Sequence, residues 1–525
     1  MERFELVTDR NIYTIGESIH FMAMEVTSIN KSETTFSSVL NAELISFDGT
    51  VLNQQKFPLI NAVTNGVIHI PEGVQSGVYY LRIYTRFMRN FGPEHYTYVP
   101  ITLLNYKTDE VLQRPLNYFA DFYLDTLAKN EMQVNSIKLL SQSVLKRENQ
   151  KLTISVPKKQ KLLSEVVSVV PEFLYVPTQI KVVSKKLHKQ VTYQFLPETR
   201  GISLSGLLID NQSQLPVPYQ GVNLSFIGTE RFNLAVLSDS SGRFFFSFPP
   251  VKGKKELLIT SPHKNNLSIK VDNDFCTEPV KLPYIPLMLG SDSNIPIVDL
   301  IKQSVINQQF ISNKTDILNS VLPDDEVYYE EPSQSIVLSD YIPMPKLSDY
   351  FYELLTLAAV RKQNENYYLQ VYGTASELRI FPPLVLIDNI IVTEIDKLLE
   401  VSPKRIERIE ILNKPYIKGD LTYGGIVNIF SKEGDLAGME LPKSGLFFNY
   451  QLFSELQAFD YEQEIPENEP IMRNTLYWKV FDSDAENLSE LTFKAGDLPG
   501  KYIVQLYGIT PDGEVISDTA SFMVK

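Results

Sequence analysis

The chain has 525 residues, enough for about three to four domains. Its 49 Lys and Arg residues against 63 Asp and Glu residues give a net charge of −14. That balance argues against nucleic-acid binding, which needs clustered cations, and weakens any docking on an anionic membrane through the chain's own charge. The single cysteine, Cys276, excludes intrachain disulfides and cysteine-cluster metal sites.

The composition also indicates the fold class and the cellular setting. With 28 Tyr, 29 Phe and 31 Pro, the chain favours strands and interrupts helices, so we expect mostly β structure. No apolar run approaches the roughly 18 residues of a membrane helix. The N-terminus lacks the basic start and apolar core of a signal peptide, so either the protein is cytosolic or the numbering begins after a removed signal.

Residues 1–105 are predicted to form an antiparallel β-sandwich. The run YYLRIYTR at residues 79–86 alternates with a period of two, which is typical of a strand with one solvated face. The run TDRNIYTIGESIHF at residues 8–21 resembles the opening of a macroglobulin-type domain. The run PEGVQSGVYYLRIYTRFMRNFG at residues 71–92 resembles a signature of large surface proteins from Bacteroidetes.

Two further β-domains are expected before residue 283. Residues 106–200 correspond, in the macroglobulin-type family, to a second, degenerate domain. The apolar spacing at residues 112–146 predicts a helical or irregular connection into it. Residues 201–282 are predicted to be a compact β-sandwich with a hairpin at SDSSGRFFF, residues 238–246. This unit resembles the carboxypeptidase regulatory-like, or transthyretin-like, module, whose name implies no peptidase chemistry.

Residues 283–345 are predicted to be a proline-rich, acidic linker, and residues 346–435 an α+β domain. Three runs within residues 346–435, PLVLID (383–388), IERIEIL (406–412) and YGGIVNI (423–429), resemble the plug domain of a TonB-dependent outer-membrane receptor. The sequence departs from this motif at Asn389, where the family usually has glycine in a turn.

The plug resemblance carries an expectation about function. About 90 residues follow residue 435, too few for a receptor barrel of about 22 strands, so we expect the plug-like domain to bind a separate partner. Its contact residues are predicted to be the exposed turn Tyr423, Gly424 and Gly425, together with Asp388. Residues 436–525 are predicted to be a connector and a small C-terminal β-sandwich that contains Trp478, a further partner-binding candidate.

No catalytic, cofactor or metal site is predicted. Cys276 lacks the Gly-Glu-Gln sequence of a thioester, and His69 and Glu72 have zinc-ligand spacing but flank the turn-forming Pro71. Two acidic pairs, Asp272/Asp274 and Asp482/Asp484, do not continue into a calcium-binding loop.

The resemblances together imply a non-catalytic scaffold or adaptor in the cell envelope, associated with the outer membrane on its surface or periplasmic face. Such chains are usually lipid-anchored on an N-terminal cysteine, which would precede this numbering. The expected partners are outer-membrane proteins, including a β-barrel, and no nucleic acid. The alternative is a stand-alone surface protein that binds a ligand or glycan through exposed Tyr side chains and Trp478. A peptidase or glycosidase is a third, weaker alternative.

Overall fold

The computed structural model confirms a mostly β, multidomain fold with several separate sheets. The chain divides into two compact units, each built from segments that are distant in sequence. The first unit comprises Met1–Gly201, Phe275–Leu318 and Phe453–Lys525, and the second comprises Ile202–Asp274 and Asn319–Leu452. The structure describes residues 2–26, 37–125, 132–133, 136–154, 164–175, 181–185, 193–228, 232–261, 267–287, 296–311, 329–363, 366–440, 445–455, 461, 466–482, 490–510 and 515–525.

The secondary-structure elements are numbered in chain order. The strands before residue 201 are β1 Phe4–Thr8, β2 Ile12–Thr14, β3 Ser18–Glu25, β4 Val39–Ile45, β5 Val51–Pro58, β6 Val63–His69, β7 Gly77–Tyr84, β8 Thr97–Leu104, β9 Phe122–Asp125, β10 Met132–Gln133, β11 Ile137–Leu139, β12 Ser143–Val144, β13 Asn149–Ile154, β14 Ser164–Pro171 and β15 Lys181–Ser184. The next strands are β16 Ser203–Asp210, β17 Gly221–Ile227, β18 Asn233–Leu237, β19 Arg243–Ser247, β20 Lys254–Thr260, β21 Leu267–Val271, β22 Gln334–Val337, β23 Ala358–Gln363, β24 Asn366–Val371, β25 Leu384–Ile387, β26 Ile390–Ile391, β27 Ile406–Leu412, β28 Tyr416–Lys418, β29 Leu421–Tyr423, β30 Ile426–Ser431 and β31 Leu446–Gln451. The C-terminal strands are β32 Tyr477–Asp482, β33 Leu491–Lys494, β34 Gly500–Ile509 and β35 Val515–Val524. The helices are α1 Ile297–Ile311, α2 Leu347–Glu353, α3 Glu377–Ile380 and α4 Ile395–Leu399.

The N-terminal part of the first unit has two sheets around one core. Their strand orders are β1-β3-β6 and β2-β8-β7-β4-β5, antiparallel except where β2 pairs with β8. Strand β7 was expected to have one solvated face, but both of its faces are buried. Residues 276–283 cover the second face: Arg82 Nη2 donates to the Cys276 carbonyl (3.5 Å), and Tyr80 Oη donates to the Pro283 carbonyl (2.5 Å). Arg82 is tolerated there because its Nε lies 2.5 Å from Glu43 Oε2.

A second sandwich in the first unit joins segments more than 300 residues apart. Strand β14 lies between β32 and β34, and β13 pairs with β33. The division into a domain at residues 106–200 and a separate sandwich at residues 436–525 is therefore wrong, because the strands of both share sheets and one core. Of the two alternatives for residues 112–146, the helical connection is wrong where that range is described, since β9, β10, β11 and β12 are the regular elements found there.

The segment predicted as a linker contains ordered structure. Residues 297–311 form α1, whose Leu300 is fully buried against Ile12, Leu104 and Leu174. Residues 334–337 form β22, which pairs with β27 in the second unit. Burial of apolar side chains offsets the proline content of this segment. Of its acidic stretch at residues 324–331, residues 324–328 lie outside the described residues, and Glu330 pairs with Lys414.

The second unit contains two groups of sheets. In the first group, sheets β19-β16-β21 and β18-β17-β20-β31 form the compact β structure expected after residue 201, but β31 comes from residues 446–451. In the second group, the sheet β22-β27-β30-β25-β26 packs with α2, α3 and α4. The three plug-like runs correspond to β25, β27 and β30, and β25 is buried along its whole length, as its all-apolar sequence predicts.

Candidate functional site

The turn Tyr423-Gly424-Gly425 is buried, so the expectation that it is an exposed docking loop is wrong. The Tyr423 hydroxyl donates a hydrogen bond to Asn223 Oδ1 at 3.2 Å, inside the second unit. Burial raises the pKa of Tyr423. A side chain so enclosed cannot make the first contact with a partner.

The two glycines of this turn allow another segment to approach the backbone. A Cβ on Gly424 would lie 2.2 Å from the Phe381 carbonyl oxygen. Gly425 has φ +91°, and a Cβ there would lie 2.6 Å from the Leu412 carbonyl oxygen. The Gly424 N–H donates to the Pro382 carbonyl at 2.9 Å, and the Leu384 N–H donates to the Gly425 carbonyl at 2.9 Å. Residues 381–384 therefore pack directly on this turn and are held there by its backbone hydrogen bonds.

The segment that rests on this turn is exposed and apolar. Ile380 is 69% exposed, Phe381 is 39% exposed and Pro382 is also exposed. The Phe381 N–H donates to the Glu377 carbonyl at 2.9 Å, which fixes the end of α3. A continuous exposed apolar run on a fixed backbone is typical of an interaction site. We call Ile380, Phe381 and Pro382 the apolar segment.

Sequence reasoning missed the apolar segment, although a signal for it was present. Four apolar residues, IFPP at 380–383, precede the buried strand β25. Prolines at Pro382 and Pro383 end α3 and withhold two N–H donors from the sheet. The two prolines therefore indicate that residues 380–383 lie outside the buried strand that follows them, and so could have identified these residues as exposed.

Asp388 is a structural residue in the second unit. Its carboxylate is almost fully buried and accepts hydrogen bonds from the Ser431 N–H (2.7 Å), the Ser431 hydroxyl (2.6 Å) and the Leu436 N–H (2.8 Å). Asp388 is therefore too buried to bind a partner. Its carboxylate links the end of β25 to the end of β30 and to the segment after it.

Asn389, which stands where the plug-like motif is expected to have glycine, lies in a left-handed turn. Asp388 has φ +48° and Asn389 has φ +65°, so both central residues of the β25–β26 hairpin are left-handed, as in a type I′ turn. Asn and Asp adopt this conformation more readily than other non-glycine residues. Asn428 Nδ2 also donates to Asn389 Oδ1 at 2.6 Å, which stabilises the substituted turn.

Trp478 is buried in the first unit and does not form an exposed ligand platform. Its Nε1 donates to Asn65 Oδ1 at 3.1 Å, and it packs in a cluster with Met22, Val166 and Tyr507. The glycan-binding alternative therefore loses Trp478 and keeps only its exposed tyrosines.

The macroglobulin-type motif at residues 8–21 forms a buried charge network in the first unit. Arg10 lies 3.4 Å from Asp9 and 3.0 Å from Glu17, with its guanidinium 4.2 Å from the Tyr13 ring centroid. Burial acts to raise the pKa of Glu17, but the charge of Arg10 and the hydrogen bonds from Arg10, the Thr14 N–H and Asn474 together lower it. Asn474 Nδ2 donates to Glu17 Oε1 at 2.7 Å, so the motif fastens the N-terminal strands to the C-terminal segment of the same unit.

The other sites considered from the sequence have ordinary structural roles. Glu72 pairs with Lys107 at 2.8 Å, and Asp272 pairs with Arg243. Among the residues that the structure describes, no group of three His, Cys, Asp or Glu side chains could hold a metal ion. Asp484 lies outside the described residues. Within the described part of the chain, none of the helices is both long and apolar enough to cross a membrane.

Comparison with known proteins gives structural similarities only. No protein-family model matches the chain, and no curated protein matches it. Trypsin-activated alpha-2-macroglobulin from Escherichia coli is similar at 11% identity and a TM-score of 0.24, with 100% of this chain and 41% of that chain covered. Salmonella alpha-2-macroglobulin reacted with methylamine is similar at 8% identity and a TM-score of 0.24, covering 100% of this chain and 39% of that chain.

Dimeric latent PorU from Porphyromonas gingivalis is similar over less of the chain. The identity is 9% and the TM-score 0.17, with 55% of this chain and 34% of that chain covered. The chain spans about two fifths of the length of the alpha-2-macroglobulins that it resembles. TM-scores of this size define neither the arrangement of this chain nor its function.

Proposed function

We propose that this protein is a non-catalytic scaffold or adaptor subunit of an outer-membrane protein complex, which acts through protein–protein contacts at the cell surface or the periplasmic face. The macroglobulin-like, carboxypeptidase regulatory-like and plug-like sequence motifs support an envelope location and a lipid anchor. The partner would be an outer-membrane protein, with a β-barrel as the first candidate because the plug-like motif is otherwise found with one.

The apolar segment is the observation that carries this proposal. Ile380 and Phe381 expose apolar surface on a backbone that is fixed by α3 on one side and by the Gly424-Gly425 turn beneath it. Such a segment loses little conformational entropy on binding, because its backbone is already ordered. Full burial of a wholly exposed side chain of this size is worth about 1.5–3 kcal/mol, so covering the exposed 69% of Ile380 and 39% of Phe381 would supply roughly 1–2 and roughly 0.6–1.2 kcal/mol.

Quantitative co-purification from detergent-solubilised outer membranes tests the proposal. The variant Ile380→Ser/Phe381→Ser should lose the partner that the unaltered chain retains, since the apolar contact is removed and the fold is not. Ile417→Ser is the matched control, because Ile417 is 71% exposed in the same unit but lies on the β28–β29 hairpin. Retention of the partner by the double variant, at unchanged thermal stability, would refute this docking site.

A further inference from the structure

An aromatic cluster lies at the surface of the first unit, on the sequence signature at residues 71–92. The single-turn helix Phe87–Asn90 receives the segment 193–196, and the Asn90 side chain holds the two together. Asn90 Nδ2 donates to the Phe195 carbonyl at 2.7 Å, while its Oδ1 accepts from the Gln194 N–H at 2.7 Å and the Phe195 N–H at 2.8 Å. Three hydrogen bonds from one amide therefore fix the backbone of this segment.

The ring of Tyr193 is held in place but remains largely open to solvent. It stacks on Phe87 with an interplanar angle of 12° and a centroid distance of 6.1 Å. It also meets Phe91 edge to face at 6.2 Å and 85°. Even so, Tyr193 is 70% exposed. Both contacts restrict the ring before any ligand arrives.

Two arginines lie over the ring of Phe195, the neighbour of this exposed tyrosine. Arg89 lies over the ring of Phe195 at 4.0 Å from the centroid, and Arg86 lies 6.0 Å from the same centroid. Phe195 is two residues from Tyr193, and Arg89 belongs to the turn Phe87–Asn90 on which Tyr193 packs, whereas Arg86 is buried. The exposed Gln194 amide follows Tyr193 directly in the chain, and the Arg89 guanidinium covers the neighbouring Phe195 ring.

We propose that the Tyr193 platform, made of Tyr193, Gln194 and Arg89, binds a pyranose ring of a surface polysaccharide. The C–H face of a pyranose packs on an immobilised aromatic ring at little entropic cost. The amide and guanidinium groups supply the planar hydrogen bonds that hydroxyl and carboxylate substituents accept. The proposal does not depend on partner docking by the apolar segment, which belongs to the other unit.

A glycan array that spans neutral hexopyranosides and uronates, followed by titration of the best saccharide, tests the platform on the full chain. Tyr193→Ala should weaken binding at least about tenfold, because the stacking surface is lost. Tyr193→Phe should keep most of the affinity. Tyr219→Ala is the matched control, since Tyr219 is also 70% exposed but lies in the second unit.

Asn90→Ala separates the platform from a lone exposed tyrosine. It leaves Tyr193 unchanged but frees the 194–195 backbone, so affinity should fall several-fold with little change in global stability. Stronger binding of uronates than of neutral sugars would assign Arg89 to a carboxylate, and equal binding would assign recognition to the ring face. Absence of saccharide binding, or equal binding by the Tyr193→Ala variant, would overturn the proposal.

Discussion

Replacing Asp388 by Asn tests the assignment of this carboxylate as a structural acceptor. Both residues tolerate a left-handed backbone, so the φ of +48° costs similar energy in each. The two oxygens of Asp388 accept from the N–H groups of Ser431 and Leu436, one oxygen for each donor. An amide has only one oxygen, and therefore either orientation places its NH₂ against a backbone N–H at about the original 2.7–2.8 Å.

The expected cost follows from those contacts. Losing a charge-assisted hydrogen bond and leaving a buried N–H without an acceptor amounts to about 3 kcal/mol. For a unit of this size each kcal/mol lowers the unfolding midpoint by about 2–4 °C, so the second unit should melt roughly 6–12 °C lower.

The lone tryptophan gives this experiment an internal reference. Trp478 belongs to the first unit, so its fluorescence reports that unit, whereas far-UV circular dichroism reports both. Asp388→Asn should lower one circular-dichroism transition and leave the fluorescence midpoint in place. Asp340→Asn, at an exposed site in the same unit, is the control. A shift below about 1 °C for Asp388→Asn would refute the structural assignment.

Three further substitutions should each change the stability of only one of the two units. Arg10→Lys replaces a buried guanidinium that reaches two carboxylates, and should lower the Trp478 fluorescence midpoint by the equivalent of about 3 kcal/mol; an unchanged midpoint would contradict the network. Gly425→Ala combines φ +91° with a clash against a carbonyl, and should lower only the second-unit transition, by about 2 kcal/mol or more. Burial raises the pKa of Glu165 from 4.5 to about 7. The free energy of unfolding of the first unit should therefore fall as pH rises from about 4.5 to about 7, because the buried carboxyl loses its proton less readily in the folded state than in the unfolded state. Glu165→Gln should therefore stabilise the first unit more at about pH 8 than at about pH 5, and an equal effect at both would contradict this.

Local sequence patterns predicted a strand correctly where the strand's own residues determine which of its faces are buried. The all-apolar run at residues 384–387 predicted a strand buried on both faces, and β25 is one. The alternation of residues in β7 predicted one solvated face, because Arg82 is a charged residue. That face is buried because Glu43 and the Cys276 carbonyl, both distant in sequence, bind the Arg82 side chain. Burial of a charged side chain depends on partners that no local period identifies.

Pairing between distant segments could not be predicted in the same way. Ser164 pairs with both Asp482 and Ile509, and Lys254 pairs with Gln451, which lies beyond the whole plug-like region. A strand's sequence specifies which face it buries, but edge strands from different parts of the chain meet the same requirement. The boundary at residue 436 therefore failed because sheet membership, and not chain order, defines these domains.

The Gly424-Gly425 turn shows how a glycine pair in the sequence led to an incorrect docking surface. The sequence indicates that two consecutive positions need the freedom of glycine, which a solvent-exposed loop and a close backbone approach satisfy equally well. The structure distinguishes them, because Gly424 faces the Phe381 carbonyl and not water. Where a glycine is needed because another backbone segment packs against it, the residues exposed to a partner belong to that packed segment. Here they are Ile380 and Phe381. A search for docking residues in such a motif should therefore begin with the segment packed on the glycines.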